Sequence, residues 1–151
     1  MKSDVKITGQ RLQITHVFDA PRPRVFAEWS RADRLQQWSG CKEATKCEVT
    51  ADFRPGGAFT QIMQIAGAGE FTITGHYDEI VEPEKIAYRA NLGAFATVRV
   101  LVEFFEQGNQ TRVVLTQEGL ADENIRKTVS LGTTESFGKL ESLLAAAKEL
   151  A

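Results

Sequence analysis

Residues 122–150 read DENIRKTVSLGTTESFGKLESLLAAAKEL, and this stretch decides the fold because no other part of the chain is both long and helical in pattern. Ile125, Val129, Phe137, Leu140, Leu144 and Ala147 recur three, four or eight apart, the spacing of one helix face. From Thr133 to Leu150 the composition is rich in Glu, Lys, Leu and Ala, all good helix formers. Asp122 stands where an N-cap belongs. Gly132 is the weak point, where the helix is expected to bend or divide into a short and a long segment.

Upstream of this helix the period is two. Gln10 to Phe18 sets Leu12, Ile14 and His16 against Gln13, Thr15 and Val17, which predicts a strand. Asp19-Ala20-Pro21 ends it. Val25 to Trp29 reads as a short helix with Pro23 tolerated in its first turn. A second short helix follows, with Ser30 as its cap, Asp33 three residues on, and Leu35 and Trp38 on one face. After Gly40 the alternation returns and persists. Cys47, Val49, Ala51 and Phe53 share a face, and so do Phe59, Gln61, Met63 and Ile65. Phe71 to Tyr77, Ile86 to Tyr88, Val98 to Phe104 and Val113 to Gln117 continue the strands. Arg54-Pro55-Gly56-Gly57, Gly67-Ala68-Gly69, Glu82-Pro83-Glu84 and Gln107-Gly108-Asn109-Gln110 are the turns between them.

The order is α+β: a strand, two short helices after it, more antiparallel strands, and the long C-terminal helix. A sheet of about six to seven strands at about 4.8 Å spacing is roughly 34 Å wide, whereas a helix is about 10 Å across. A flat sheet would leave most of its apolar face in water. The sheet is therefore expected to curve around the helix, with the short helices closing one end and a pocket left between the layers.

Composition narrows the function. The 151 residues are 42% hydrophobic and 25% charged with a net charge of −2, which fits one globular domain over residues 1–151. There is no surplus of basic residues to favour nucleic acid or an anionic membrane. No run approaches the ~20 apolar residues of a membrane helix; the densest, Val98 to Phe105, is broken by Arg99 and Glu103. The charged start, Met1 to Lys6, lacks the apolar core of a signal peptide. A soluble, cytoplasmic protein is expected. Cys41 and Cys47 suit a reduced compartment, and their separation matches no familiar zinc spacing.

Six pieces in order carry a family resemblance. They are Phe18-Asp19-Ala20-Pro21 leading to Val25-Phe26; Leu35 to Gly40; Asp52 to Phe59; Gly75 to Ile80 with Pro83 and Ile86; Thr111 to Thr116; and Leu140 to Leu144. In this order the chain resembles the helix-grip (START-related, SRPBCC) superfamily, in its activator-of-Hsp90-ATPase-homologue branch. The resemblance implies a helix-grip domain that holds a ligand or acts as a regulator. Many members of the branch have Gly-Trp near the start of the last helix, where this chain has Gly132-Thr133. The resemblance thus implies a larger or differently shaped pocket here. Members that regulate an Hsp90-type chaperone carry an additional N-terminal domain, which this sequence does not include.

Catalytic constellations are absent from the pattern. No metal-binding His pair, nucleophile elbow or phosphate-cradling glycine loop occurs, so no catalytic residue, metal or cofactor is expected. His16 and His76 read as structural, His16 on an apolar face from which it reaches toward the pocket and His76 on the solvent side. Glu103 reads as an outward cross-strand partner. Glu79 faces inward beside Tyr77 unless a bulge near Ile80 turns it out. The cavity set is more informative. Trp38, Phe59, Met63, Phe71, Tyr88 and Phe137 should converge on the concave side, with Gln61 and Gln117 among them. Val100, Leu115 and Thr133 complete that set. A buried amide costs roughly 1–3 kcal/mol if unpaired, so two glutamines on otherwise apolar faces call for a partner, water or ligand. The expected function is a binding domain for a hydrophobic small molecule, working as a monomer or homodimer. The alternatives are a cyclase- or hydrolase-type enzyme, drawing on His16, Glu79 or Tyr88, and a chaperone regulator.

Overall fold

The computed structural model describes residues 3–40, 44–93 and 96–150. Cys41 and the first two residues of the N-terminal segment discussed above lie outside them. The strands are β1 (Asp4–Thr8), β2 (Arg11–Phe18), β3 (Ala44–Ala51), β4 (Ala58–Ile65), β5 (Gly69–Val81), β6 (Lys85–Leu92), β7 (Ala96–Gln107) and β8 (Gln110–Glu118). The helices are α1 (Arg22–Ser30), α2 (Ala32–Trp38) and α3 (Glu123–Leu150). All strands join one antiparallel sheet of eight, in the order β1-β2-β8-β7-β6-β5-β4-β3, and α3 packs against β2 and α2. This is the α+β helix-grip architecture, with one strand more than the six to seven expected.

The extra strand is β1, so the short helices follow the second strand rather than the first. Its five residues are all exposed, so Val5 and Ile7 make no buried face for the alternation to reveal. Two further expectations change. Ser30 does not cap α2: it is the last residue of α1, and its hydroxyl donates to the Ala27 carbonyl at 3.1 Å. Arg31 occupies the cap position instead, its guanidinium paired with Asp33. Gly132 does not divide the last helix, which runs unbroken for 28 residues. One glycine costs a helix only about 1 kcal/mol, less than the flanking turns supply. Asp122 caps α3 as the sequence suggests, its Oδ1 accepting from the backbone N–H groups of Asn124 and Ile125.

Side chains from α1, the sheet and α3 meet at one end of the grip. Phe18, Phe104 and Phe137 are each no more than 1% exposed, and Trp29 sits edge-on to all three rings. Beneath them Glu28, fully buried, is held by Arg24 at 2.9 Å and by both arms of Arg34 at 2.8 and 3.0 Å. The Glu28 carbonyl accepts from Trp38 Nε1. This cluster locks α1 to α2 and sets Trp38 in place as an end wall.

Candidate functional site

Away from that end, the sheet and α3 separate around a cavity of about 540 Å3, within the range of small-molecule sites. Register explains where it lies. Inward-facing residues form transverse rows about 7 Å apart, two residues per step. At the packed end a row holds His16, Val113 and Phe104. The next holds Ile14, Leu115, Val102 and Ile86, and the one after it Gln117, Val100, Tyr88 and Tyr77. Then come Val98, Ala90, Gly75 and Phe59. The bulky residues of the first row give way to small ones in the middle of the sheet, and space opens where they do.

Gly75 shows how tight the arrangement is. A Cβ at this position would run into the Arg89 carbonyl oxygen and the ring of Phe59. The missing side chain lets that ring lie across β5, where it meets Tyr88 edge-on at 5.4 Å and Tyr77 at 5.3 Å. On the opposite wall, Ile125, Val129 and Thr133 of α3 face the space, and the bare backbone at Gly132 widens it. Ser136 ties α3 to the end of α2, donating to the carbonyls of Gly40 at 2.8 Å and Gly132 at 2.9 Å.

Each residue placed in the cavity from the sequence lies on its wall: Trp38, Phe59, Gln61, Met63 and Phe71; Tyr88, Val100, Leu115 and Gln117; Thr133 and Phe137. The cavity also takes in Trp29, Ile73, Tyr77 and Ile125; the pattern put Tyr77 on an inward face and Ile125 on the apolar face of the last helix without assigning either to the cavity, and extending the period from Phe71 reaches Ile73. Trp29 had only a generic place on a short helix.

Among the described lining residues there is no Asp, Glu, Lys, Arg or His. The bulge falls between Tyr77 and Glu79, turns Glu79 outward, and leaves it paired with Lys85 at 2.8 Å. His16 does not reach the cavity. It is buried under α3, its ring 4.5 Å from that of Phe18 and 5.8 Å from that of Phe137. Its Nδ1 lies 2.8 Å from the Ser3 hydroxyl and its Nε2 3.7 Å from Glu141. Burial pulls its pKa below the ordinary histidine value, against the raising effect of Glu141. His76 is on the outer face, 3.5 Å from Asp78, and Glu103 stands across from Lys85 in register.

The polar atoms that the described residues turn to the cavity are neutral. Burial pushes the Tyr77 hydroxyl up to about 12 and that of Tyr88 further still, so both stay protonated donors at neutral pH. Gln61 Nε2 approaches the Cys47 sulfur at 3.4 Å. The Gln117 side chain, 5% exposed, has no hydrogen-bond partner among the described residues, nor has the Tyr88 hydroxyl.

The family model of activator of Hsp90 ATPase homolog 1-like protein matches residues 19–145. No curated protein matches the sequence. Among solved structures, the chain is similar to a protein from Chromobacterium violaceum, with TM-score 0.80 and 20% identity over 90% of this chain and 97% of that one. It is also similar to a protein from Rhizobium leguminosarum, with TM-score 0.79 and 24% identity over 97% and 99% of the two chains. A third, from Mycobacterium smegmatis, gives TM-score 0.78 at 20% identity over 93% and 95%. At these identities the likeness establishes the fold.

Proposed function

The chain belongs to the activator of Hsp90 ATPase homolog 1-like family, and we propose that it serves as a binding domain for an apolar or amphipathic small molecule held between the sheet and α3. The observation that carries this reading is a cavity of about 540 Å3 whose described lining is aliphatic, aromatic or neutral polar. A ligand that buries about 300 Å2 of apolar surface there gains roughly 7 kcal/mol before the cost of association.

Turnover by a cyclase or hydrolase needs an acid or base near neutral pKa at the substrate. Of the groups sequence reasoning offered, Glu79 and His16 point elsewhere and the Tyr88 hydroxyl holds its proton, which favours binding over catalysis. The chaperone-regulator alternative draws its support from the family relationship. In the binding reading the chain is one cytoplasmic domain without a resident cofactor, acting alone or as a homodimer. Among the described residues no helix is long and apolar enough to cross a membrane.

Native mass spectrometry of freshly purified protein tests the proposal. A retained small molecule, released on denaturation, is the expected result. A chain that carries nothing, and whose melting temperature no apolar compound in a broad panel raises, would overturn it.

A further inference from the structure

The cavity's polar atoms have an order that the binding reading alone does not require. Tyr77, Tyr88, Val100 and Gln117 are consecutive across one row of the sheet. The rows on either side are aliphatic on the same strands, with Ala90 and Val98 toward the start of α3 and Ile86, Val102 and Leu115 toward the packed end. On β5 to β8 the polar lining is therefore confined to this one row, while Gln61 on β4 and Asn124, Thr128 and Thr133 on α3 stand elsewhere on the wall. Within the row, Val100 separates Tyr88 from Gln117, and its side chain is shorter than either neighbour. Both longer side chains line the same cavity on either side of that low point.

Both ends of this clasp can donate. The Tyr88 hydroxyl stays protonated, and the Gln117 amide carries two N–H groups. Neither has a protein partner among the described residues, and both line the cavity, so a ligand that displaces the water reaching them must replace its hydrogen bonds. Two donors facing one gap suit a single oxygen with two lone pairs. Among the described lining residues there is no cation for an anionic head, so against them a carboxylate would enter as an unpaired ion.

We propose that the ligand is an uncharged, largely hydrocarbon molecule bearing a ketone or ester carbonyl, whose oxygen seats over Val100 between the Tyr88 hydroxyl and the Gln117 amide. This rests on the binding function proposed above and adds the class of ligand.

The test is displacement of the neutral fluorophore N-phenyl-1-naphthylamine by three matched chains: dodecan-2-one, dodecane and dodecanoate at pH 8. In the native protein the ketone should bind at least about tenfold more tightly than dodecanoate. In the double variant Tyr88→Phe, Gln117→Leu, which preserves shape, the ratio of ketone to dodecane affinity should fall about tenfold while dodecane itself changes by less than about twofold. An unchanged ratio, or dodecanoate matching the ketone, would overturn the carbonyl clasp and leave the binding function standing. If neither the fluorophore nor dodecane binds, the binding function itself fails, and the clasp with it.

Discussion

One helix serves two different regions. In its C-terminal half, Phe137, Leu140 and Leu144 are almost wholly buried against β2 and the aromatic cluster of Phe18 and Trp29. In its N-terminal half, Ile125, Val129 and Thr133 are only half-buried and face open volume. Both halves are amphipathic and both lie over the same sheet. The difference comes from below, where His16, Phe18 and Phe104 rise to meet the C-terminal half, while Ala90 and Val100 line the open volume beneath the N-terminal one. A cavity in this fold is thus written in small residues on the sheet as much as in the helix above it.

Truncating each half should expose this contrast. Leu140→Ala removes a fully buried side chain from the packed region and should cost about 2–5 kcal/mol of unfolding free energy. Urea denaturation would show it, and a loss below about 1 kcal/mol would mean that this region is as loose as the other. Gly75→Ala comes next. The added methyl meets the Arg89 carbonyl and the Phe59 ring, and about 1–3 kcal/mol is expected, together with altered ligand binding as Phe59 is displaced. Val129→Ala, on the open half of α3, should cost under about 1 kcal/mol because its side chain already lacks neighbours on one side. Its signature is a weaker affinity for N-phenyl-1-naphthylamine with almost unchanged stability.

The smallest effect is one of pH. In the folded protein His16 resists protonation, chiefly through burial, while in the unfolded chain it takes up a proton below about pH 6.5. The unfolded state therefore binds more protons as pH falls through that value, and stability should decline there. His16→Gln should flatten that part of the profile in denaturant midpoints measured between pH 7.5 and 5.5. An unchanged slope would show that the packed region does not exclude the proton.

Much of this division was legible in the sequence, for reasons that can be assigned. Period-two alternation put Phe59, Gln61, Met63 and Tyr88 on the concave face, and register then joined them into rows. Period 3.6 put Val129 and Phe137 on one face of α3, and the family resemblance, through Gly132-Thr133, pointed to Thr133. What escaped had no local signal. The edge strand β1 has no buried face to alternate with, and the Tyr77–Glu79 bulge that turns Glu79 to solvent depends on how β5 pairs with β6. Gly132 reads as a helix breaker only if its neighbours are ignored. His16 shares the apolar face of Leu12 and Ile14, yet its row lies under the packed half of α3, a matter of where the helix crosses the sheet.

The central claim is that the small-residue half of the grip is an accommodating chamber. Thr133→Trp tests it most directly, because the larger ring would grow from α3 into that volume while leaving the packed half untouched. Fluorescence titration of N-phenyl-1-naphthylamine should show binding to the native chain and at least about tenfold weaker binding to the variant, with a melting temperature no lower than that of the native chain. Equal binding by both, or binding by neither, would contradict the account.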